Sequence, residues 1–184
     1  MKYFKKLEGE RIYLSPINSE DVILYTKWMN DSSVTDGIGR TSYLFNIDSE
    51  KEYLEKKVSN EYKFAIVEKS SDTLIGNCSI FKIDNICGHG ELGIMIGEES
   101  FRSKGYGQEA IRLLLSYCFE TLNFVSVELS ALSFNERAIN CYKKCGFKEV
   151  GRLRKSFFAN GSYHDSVILD ILKEEFYEKQ VCID

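Results

Sequence analysis

Two stretches of this sequence hold residues whose types and spacing suit chemistry on a phosphorylated ligand. The first is "FRSKGYGQEAIRLLL", Phe101 to Leu115, where Arg102 and Lys104 stand beside Gly105 and Gly107 ahead of an apolar run. Glycines at a loop-to-helix junction let a ligand approach the backbone. Successive N–H groups over residues 102–108, at a helix N-terminus, favour an anion there. "GYGQEA" also fits the dinucleotide fingerprint G-x-G-x-x-A. That fingerprint needs a strand directly before the glycines and a doubly wound sheet after them. Here "EESFRSK" intervenes and under half the chain follows, so a nicotinamide-dependent oxidoreductase is the weaker reading. "GHGELG", Gly88 to Gly93, matches the same letters but leads into a strand, which fails the test.

The second stretch is "SFNERAINCYKKCGF". It reads as a helix: Ser133 and Glu136 are spaced as a capping box, Lys143 and Lys144 fill the last turn, and Gly146 stops it. Tyr142 falls on its apolar face. Cys141 and Cys145 lie one turn apart, but with no His or Asn partner nearby they do not read as a nucleophile site.

The elements that must position these residues follow from periodicity. "RIYLS" alternates as a short strand, and "NSEDVILYTKWMND" is a helix capped by Asn18 or Ser19. "DSSVTDGIGRTSYLFNID" reads as a loop and "SEKEYLEKKVSN" as a polar helix. "YKFAIVEK" and "TLIGNCSIFKID" form a hairpin through "SSD", and "GELGIMIG" is a central strand. A helix over 106–120 presents Ala110, Leu113, Leu114, Tyr117 and Cys118 inward. "FVSVELSAL" is a strand, and two final strands flank "ANGS", whose Asn160-Gly161 signals a hairpin. A short amphipathic tail, "KEEFYEK", closes the chain. The order β-α-α-β-β-β-α-β-α-β-β implies an α+β fold, a mixed and mainly antiparallel sheet with helices on both faces. The 184 residues, without linker or repeat, are expected to form one domain over 1–184.

Net charge is −4 and charge is dispersed, which disfavours nucleic acid as a partner and suits a cationic substrate. Neither a membrane-length apolar run nor a signal-peptide core is present, so a cytoplasmic, membrane-free setting is expected. The six cysteines include no C-x-x-C pair and read as reduced thiols, mostly buried. His89 and His164 stand far apart without neighbouring cysteines, so no metal site is expected.

"RSKGYG", Arg102 to Gly107, resembles the R/Q-x-x-G-x-G/A signature of the GNAT superfamily of acetyl-CoA-dependent N-acyltransferases. Asn135, Ala138, Tyr142, Gly146 and Phe147 are similar to its N-x-x-A-x-x-x-Y-x-x-x-G-F segment. The closing hairpin and "WMNDSSV" are similar to the RimJ/RimL-like branch and to bacterial spermidine acetyltransferases, so the resemblance spans nearly the whole chain. It implies the GNAT fold and transfer of an acetyl group from acetyl-CoA to an amine on a protein N-terminus, polyamine, amino sugar or other small molecule; the sequence leaves a homodimer open. The alternative is a noncatalytic acyl-CoA sensor on the same fold.

The resemblance also implies the site. The pyrophosphate would lie over Arg102, Ser103, Lys104, Gly105, Tyr106, Gly107 and Gln108. The pantetheine arm would pair with the strand holding Leu92, Ile94, Met95 and Ile96, and Asn135 would touch the cofactor. Tyr142 would be the general acid for the departing thiolate. Glu91, where the central strand begins, is the preferred base, ahead of His89, His164 and Asp165. Trp28, Asp31, Asp36, Tyr43 and Phe45 supply acids and aromatics suited to holding a cationic acceptor.

Overall fold

The computed structural model describes residues 2–56, 61–159 and 161–181. Strands β1 (Leu7–Glu8) and β2 (Ile12–Pro16) are followed by helices α1 (Val22–Met29), α2 (Ser32–Ile38) and α3 (Ile47–Glu55). Strands β3 (Tyr62–Glu68), β4 (Thr73–Asp84) and β5 (His89–Ile96) come next, and then α4 (Tyr106–Ser116) with a π-helical turn over Tyr117–Thr121. Strand β6 (Ser126–Leu132), α5 (Glu136–Cys145), β7 (Lys148–Ala159), β8 (Ser162–Leu172) and α6 (Lys173–Val181) complete the order.

Among the described residues eight strands join one sheet in the order β1-β2-β3-β4-β5-β6-β8-β7. Every neighbouring pair is antiparallel except β5 with β6. The expected mixed sheet is therefore present, with "GELGIMIG" in its interior. One core lies between the sheet and α4–α6, from Ile12 and Ile66 through Ile111 and Leu114 to Val167 and Phe176. The other, more aromatic, packs Tyr25, Trp28, Val34 and Leu54 on Tyr13, Ala65, Val67 and Met95.

Several local expectations are corrected. Residues 32–38, expected as loop, form α2: Asp31 caps it by accepting the Ser33 N–H at 2.8 Å, and left-handed Gly39 ends it. Helix α4 buries Ile111 and Leu115 fully and Leu113 only in part, because the pairs Ala110–Ile111 and Leu114–Leu115 recur one turn apart and set the inward face. Ser133 does not cap α5; Asn135 does, accepting the Ala138 N–H at 3.2 Å. The β7–β8 turn includes Gly161 at φ 77°, while Asn160, residues 57–60 of the polar helix and Cys182 lie outside the described residues.

Candidate active site

Strands β5 and β6 are paired only from His89↔Ser126 to Glu91↔Glu128. Beyond Glu91, β5 stays with β4 as far as Ile96, and β6 stays with β8 as far as Leu132. The β6-facing edge of β5 is thus unpaired over 92–96 among the described residues. Such an edge binds an extended chain through its backbone.

A cleft of about 400 Å³ opens in the gap. Its walls are Ile94–Ile96 of β5, the 102–108 loop and first turn of α4, the inner face of α5, and Ser33, Val34, Gly37 and Ile38 of α2. Among the described residues the lining holds three cations, Arg102, Arg137 and Lys144, and no carboxylate. In a chain of negative net charge, that sign selects an anionic ligand.

The loop owes its shape to two left-handed residues, Ser103 at φ 59° and Gly105 at φ 86°. Gly105 is the N-cap of α4 and no side chain caps the helix, so its first-turn N–H groups remain available to an anion. The nearby carboxylate is committed elsewhere. Glu109 accepts the N–H groups of Arg11 (2.7 Å) and Ile12 (3.2 Å) and the Arg11 guanidinium (3.1 Å), fastening α4 to β2. Arg11 also donates to the Lys104 carbonyl at 3.0 Å and lies 4.6 Å above the Tyr106 ring.

Two motif residues hold the opposite wall. Arg102 donates to the carbonyls of Ile96 (3.0 Å) and Gly97 (2.8 Å) and to Ser33 Oγ (3.1 Å), tying the end of β5 to α2. Asn135, while capping α5, donates its amide to the Gly37 carbonyl at 3.0 Å. Tyr142 lines the cleft from α5 and is 9% exposed. Burial, and then the neighbouring Cys141 and Cys145, raise its phenol well above the usual range, so it stays protonated near neutral pH.

The model for the acetyltransferase (GNAT) domain matches residues 11–148. The chain belongs to the GNAT acetyltransferase family. The spermidine N(1)-acetyltransferase of Vibrio cholerae is 30% identical over 73% of this chain and 78% of that protein. The SPbeta prophage-derived N-acetyltransferase YokL of Bacillus subtilis is 28% identical over 91% of this chain and 93% of that protein. Among solved structures, the Vibrio cholerae spermidine N-acetyltransferase in complex with CoA and spermine superposes with a TM-score of 0.84. It is 25% identical, covering 92% of this chain and 99% of that one.

The protein is thus an acetyl-CoA-dependent N-acetyltransferase that acetylates an amine. Its cleft suits the donor: open helix N–H groups and cations for phosphates, and an unpaired strand edge for the extended arm. Ile94, Met95, Ile96, Arg102, Ser103, Gly105, Gly107, Gln108, Asn135 and Tyr142 all line it. Leu92 does not, being buried in the core at 4% exposure, and neither do Lys104 and Tyr106, which Arg11 engages from the other side. Arg102 lines the cleft, but its guanidinium is already bonded to four protein groups rather than free for a phosphate.

Glu91 is absent from the lining; it stands where β5 and β6 part, with its carboxylate 2.5 Å from Lys82 Nζ. The expected acceptor residues are not in the cleft either. Trp28 is core, 2% exposed and packed so tightly on Gly97 that a Cβ there would fall 2.1 Å from Trp28 Cδ2. Asp31 caps α2, Asp36 accepts from Thr41 Oγ1 at 2.6 Å, and Tyr43 stacks on Phe45 with centroids 6.1 Å apart. Their stretch reaches the cleft through α2 instead. Arg137, Cys141 and Lys144 were missed, although their spacing puts them on one face of α5.

Proposed function

We propose that the acceptor is a small polyamine and that Tyr142 supplies the proton taken up by the leaving thiolate. The single observation that carries the mechanism is the placement of a buried, protonated phenol beside the unpaired edge of β5. Acetyl-CoA supplies an activated thioester, and the residues of this chain do the rest. Backbone N–H groups of 92–96 would orient the donor arm, and the first turn of α4 would hold its diphosphate. Tyr142 would donate its proton to the departing sulfur. A polyamine is largely protonated at neutral pH, with a pKa of about 10, so a proton must leave before attack. Glu91 is the proposed acceptor of that proton through water. In register with it across adjacent strands stand Glu128 and Asp170, a row of carboxylates on one sheet face that supports approach of a cation.

The polyamine reading is supported by the spermidine acetyltransferases among the relatives and by the similarity to the complex with CoA and spermine. Thiol release from acetyl-CoA against a panel of amines tests it. Spermidine or spermine is expected to give the highest kcat/KM. A preference for a peptide N-terminus or an amino sugar would overturn the acceptor class while leaving the donor site intact. The expected setting is the cytoplasm.

A further inference from the structure

We propose that Cys141 is a modification site, a thiol in the donor cleft that forms a mixed disulfide with the disulfide of a small anionic thiol and thereby shuts out acetyl-CoA. The sulfur lies at the heart of the site. Cys141 lines the cleft, and a Cβ built on Gly107 would fall 3.9 Å from its Sγ, so the thiol faces the first turn of α4 across the donor path. It does not act alone: Cys145, one turn on, hydrogen-bonds to it and also lies 3.8 Å from the Gln108 carbonyl. Arg112 of α4 and Arg137 and Lys144 of α5 surround it, and none of the three is in an ion pair among the described residues.

These neighbours do two things. They stabilise the thiolate, so that the Cys145 hydrogen bond and the three cations hold the Cys141 thiol below its ordinary range against the opposing effect of burial. They also attract an anionic reagent into a cleft that offers it no carboxylate among the described residues. The other thiols contrast with it. Burial pushes Cys118 up to about 12 and raises Cys78, while Asp84 raises exposed Cys87.

The step is a thiol–disulfide exchange. The Cys141 thiolate attacks one sulfur of R–S–S–R, a bond forms between them, and the second half leaves as R–S⁻; the disulfide is itself the oxidant. The adduct would occupy part of a cleft of about 400 Å³ and add negative charge where phosphates must sit. The proposal rests on the cleft being the acetyl-CoA site.

The test uses the full chain with Cys87→Ser, which removes the exposed thiol among the described residues, and with Cys182→Ser. It is incubated with glutathione disulfide, coenzyme A disulfide or uncharged 2-hydroxyethyl disulfide, then desalted and measured for intact mass and residual activity. One adduct is expected, with activity lost in step with it, restored by dithiothreitol and slowed by acetyl-CoA. Anionic disulfides should react about tenfold faster than the uncharged one at low salt. The faster of the two anionic reagents identifies the source. Cys141→Ser, or Cys141→Ala where the serine fails to fold, should abolish adduct and inactivation relative to its own untreated sample. Inactivation of these variants at the parent rate, or an adduct without loss of activity, would overturn the proposal. Acetyl-CoA that binds by calorimetry yet gives no protection would overturn it while sparing the donor site; acetyl-CoA that does not bind would overturn the donor site itself.

Discussion

The two faces of β5 meet opposite kinds of surroundings. Toward α4 and α5 the polar groups face a cleft and await a partner: uncapped N–H groups at Gly105, the cations Arg137 and Lys144, and the protonated phenol of Tyr142. Toward α1 the polar groups are sealed in. Tyr25 Oη, Thr26 Oγ1 and Trp28 Nε1 are buried without a hydrogen-bond partner among the described residues, within an aromatic core where Tyr25 and Trp28 meet edge to face at 5.4 Å. One face is organised for a ligand, and the other accepts unpaired polar atoms to obtain tight packing behind the strand. The comparison predicts that substitutions behind β5 damage stability first, whereas those in front damage binding and turnover first.

The largest stability effect should come from Gly97→Ala. Its Cβ would strike the Trp28 ring at 2.1 Å, and the overpacking should cost about 3 kcal/mol in urea unfolding. A stable variant would show that the aromatic core yields. Arg102→Lys comes next. Lysine cannot reproduce the fork that joins Ile96, Gly97 and Ser33, and the loss of charged hydrogen bonds should cost about 2 kcal/mol and raise the KM for acetyl-CoA. Unchanged stability would mean that α2 stands without this tie. Asn135→Asp keeps the cap on α5 but removes the donor to Gly37, so about 1 kcal/mol is expected, against about 2 for Asn135→Ala. Equal losses in the two variants would assign the whole effect to the cap.

The smallest effects concern two buried carboxyls that titrate in opposite directions. Burial raises Glu50, so its contribution is present below the unfolded carboxyl value of about 4 and lost as pH rises through the higher folded value. Glu50→Gln should therefore raise Tm at pH 7 and leave it unchanged at pH 4. Glu68 is lowered to about 2, first by the Ser71 hydroxyl and then by further Ser70 and Ser71 bonds. Its contribution is present above about 4 and lost as pH falls through 2. Glu68→Gln should lower Tm at pH 7 and converge with the parent in acid. Parallel pH profiles would show that these environments are the same.

The cleft side of β5 was legible in the sequence because its geometry is local. Gly105 must take a left-handed turn just before a helix, and Asn135, Tyr142 and Gly146 stand at fixed positions on another, so residue type and spacing carried the information. The opposite wall was not legible. "SSVTDGI" contains weak helix formers, and α2 is held partly by Arg102 and Asn135, 69 and 98 residues away in sequence. Arg11 shapes the loop from 93 residues away and belongs to no motif. Trp28 was misplaced for a related reason. An aromatic in a polar stretch reads as a cation cradle until the end of β5, with Gly97 just beyond it, is brought against it.

The central claim is that the buried phenol facing the cleft completes amide formation by protonating the leaving sulfur. Steady-state kinetics of Tyr142→Phe with acetyl-CoA and spermidine, paired with calorimetric affinity for acetyl-CoA, test it most directly. The account predicts a kcat lowered by about 10²- to 10³-fold with donor affinity unchanged, because only the proton is removed. A kcat close to that of the parent enzyme would contradict it and reduce Tyr142 to packing.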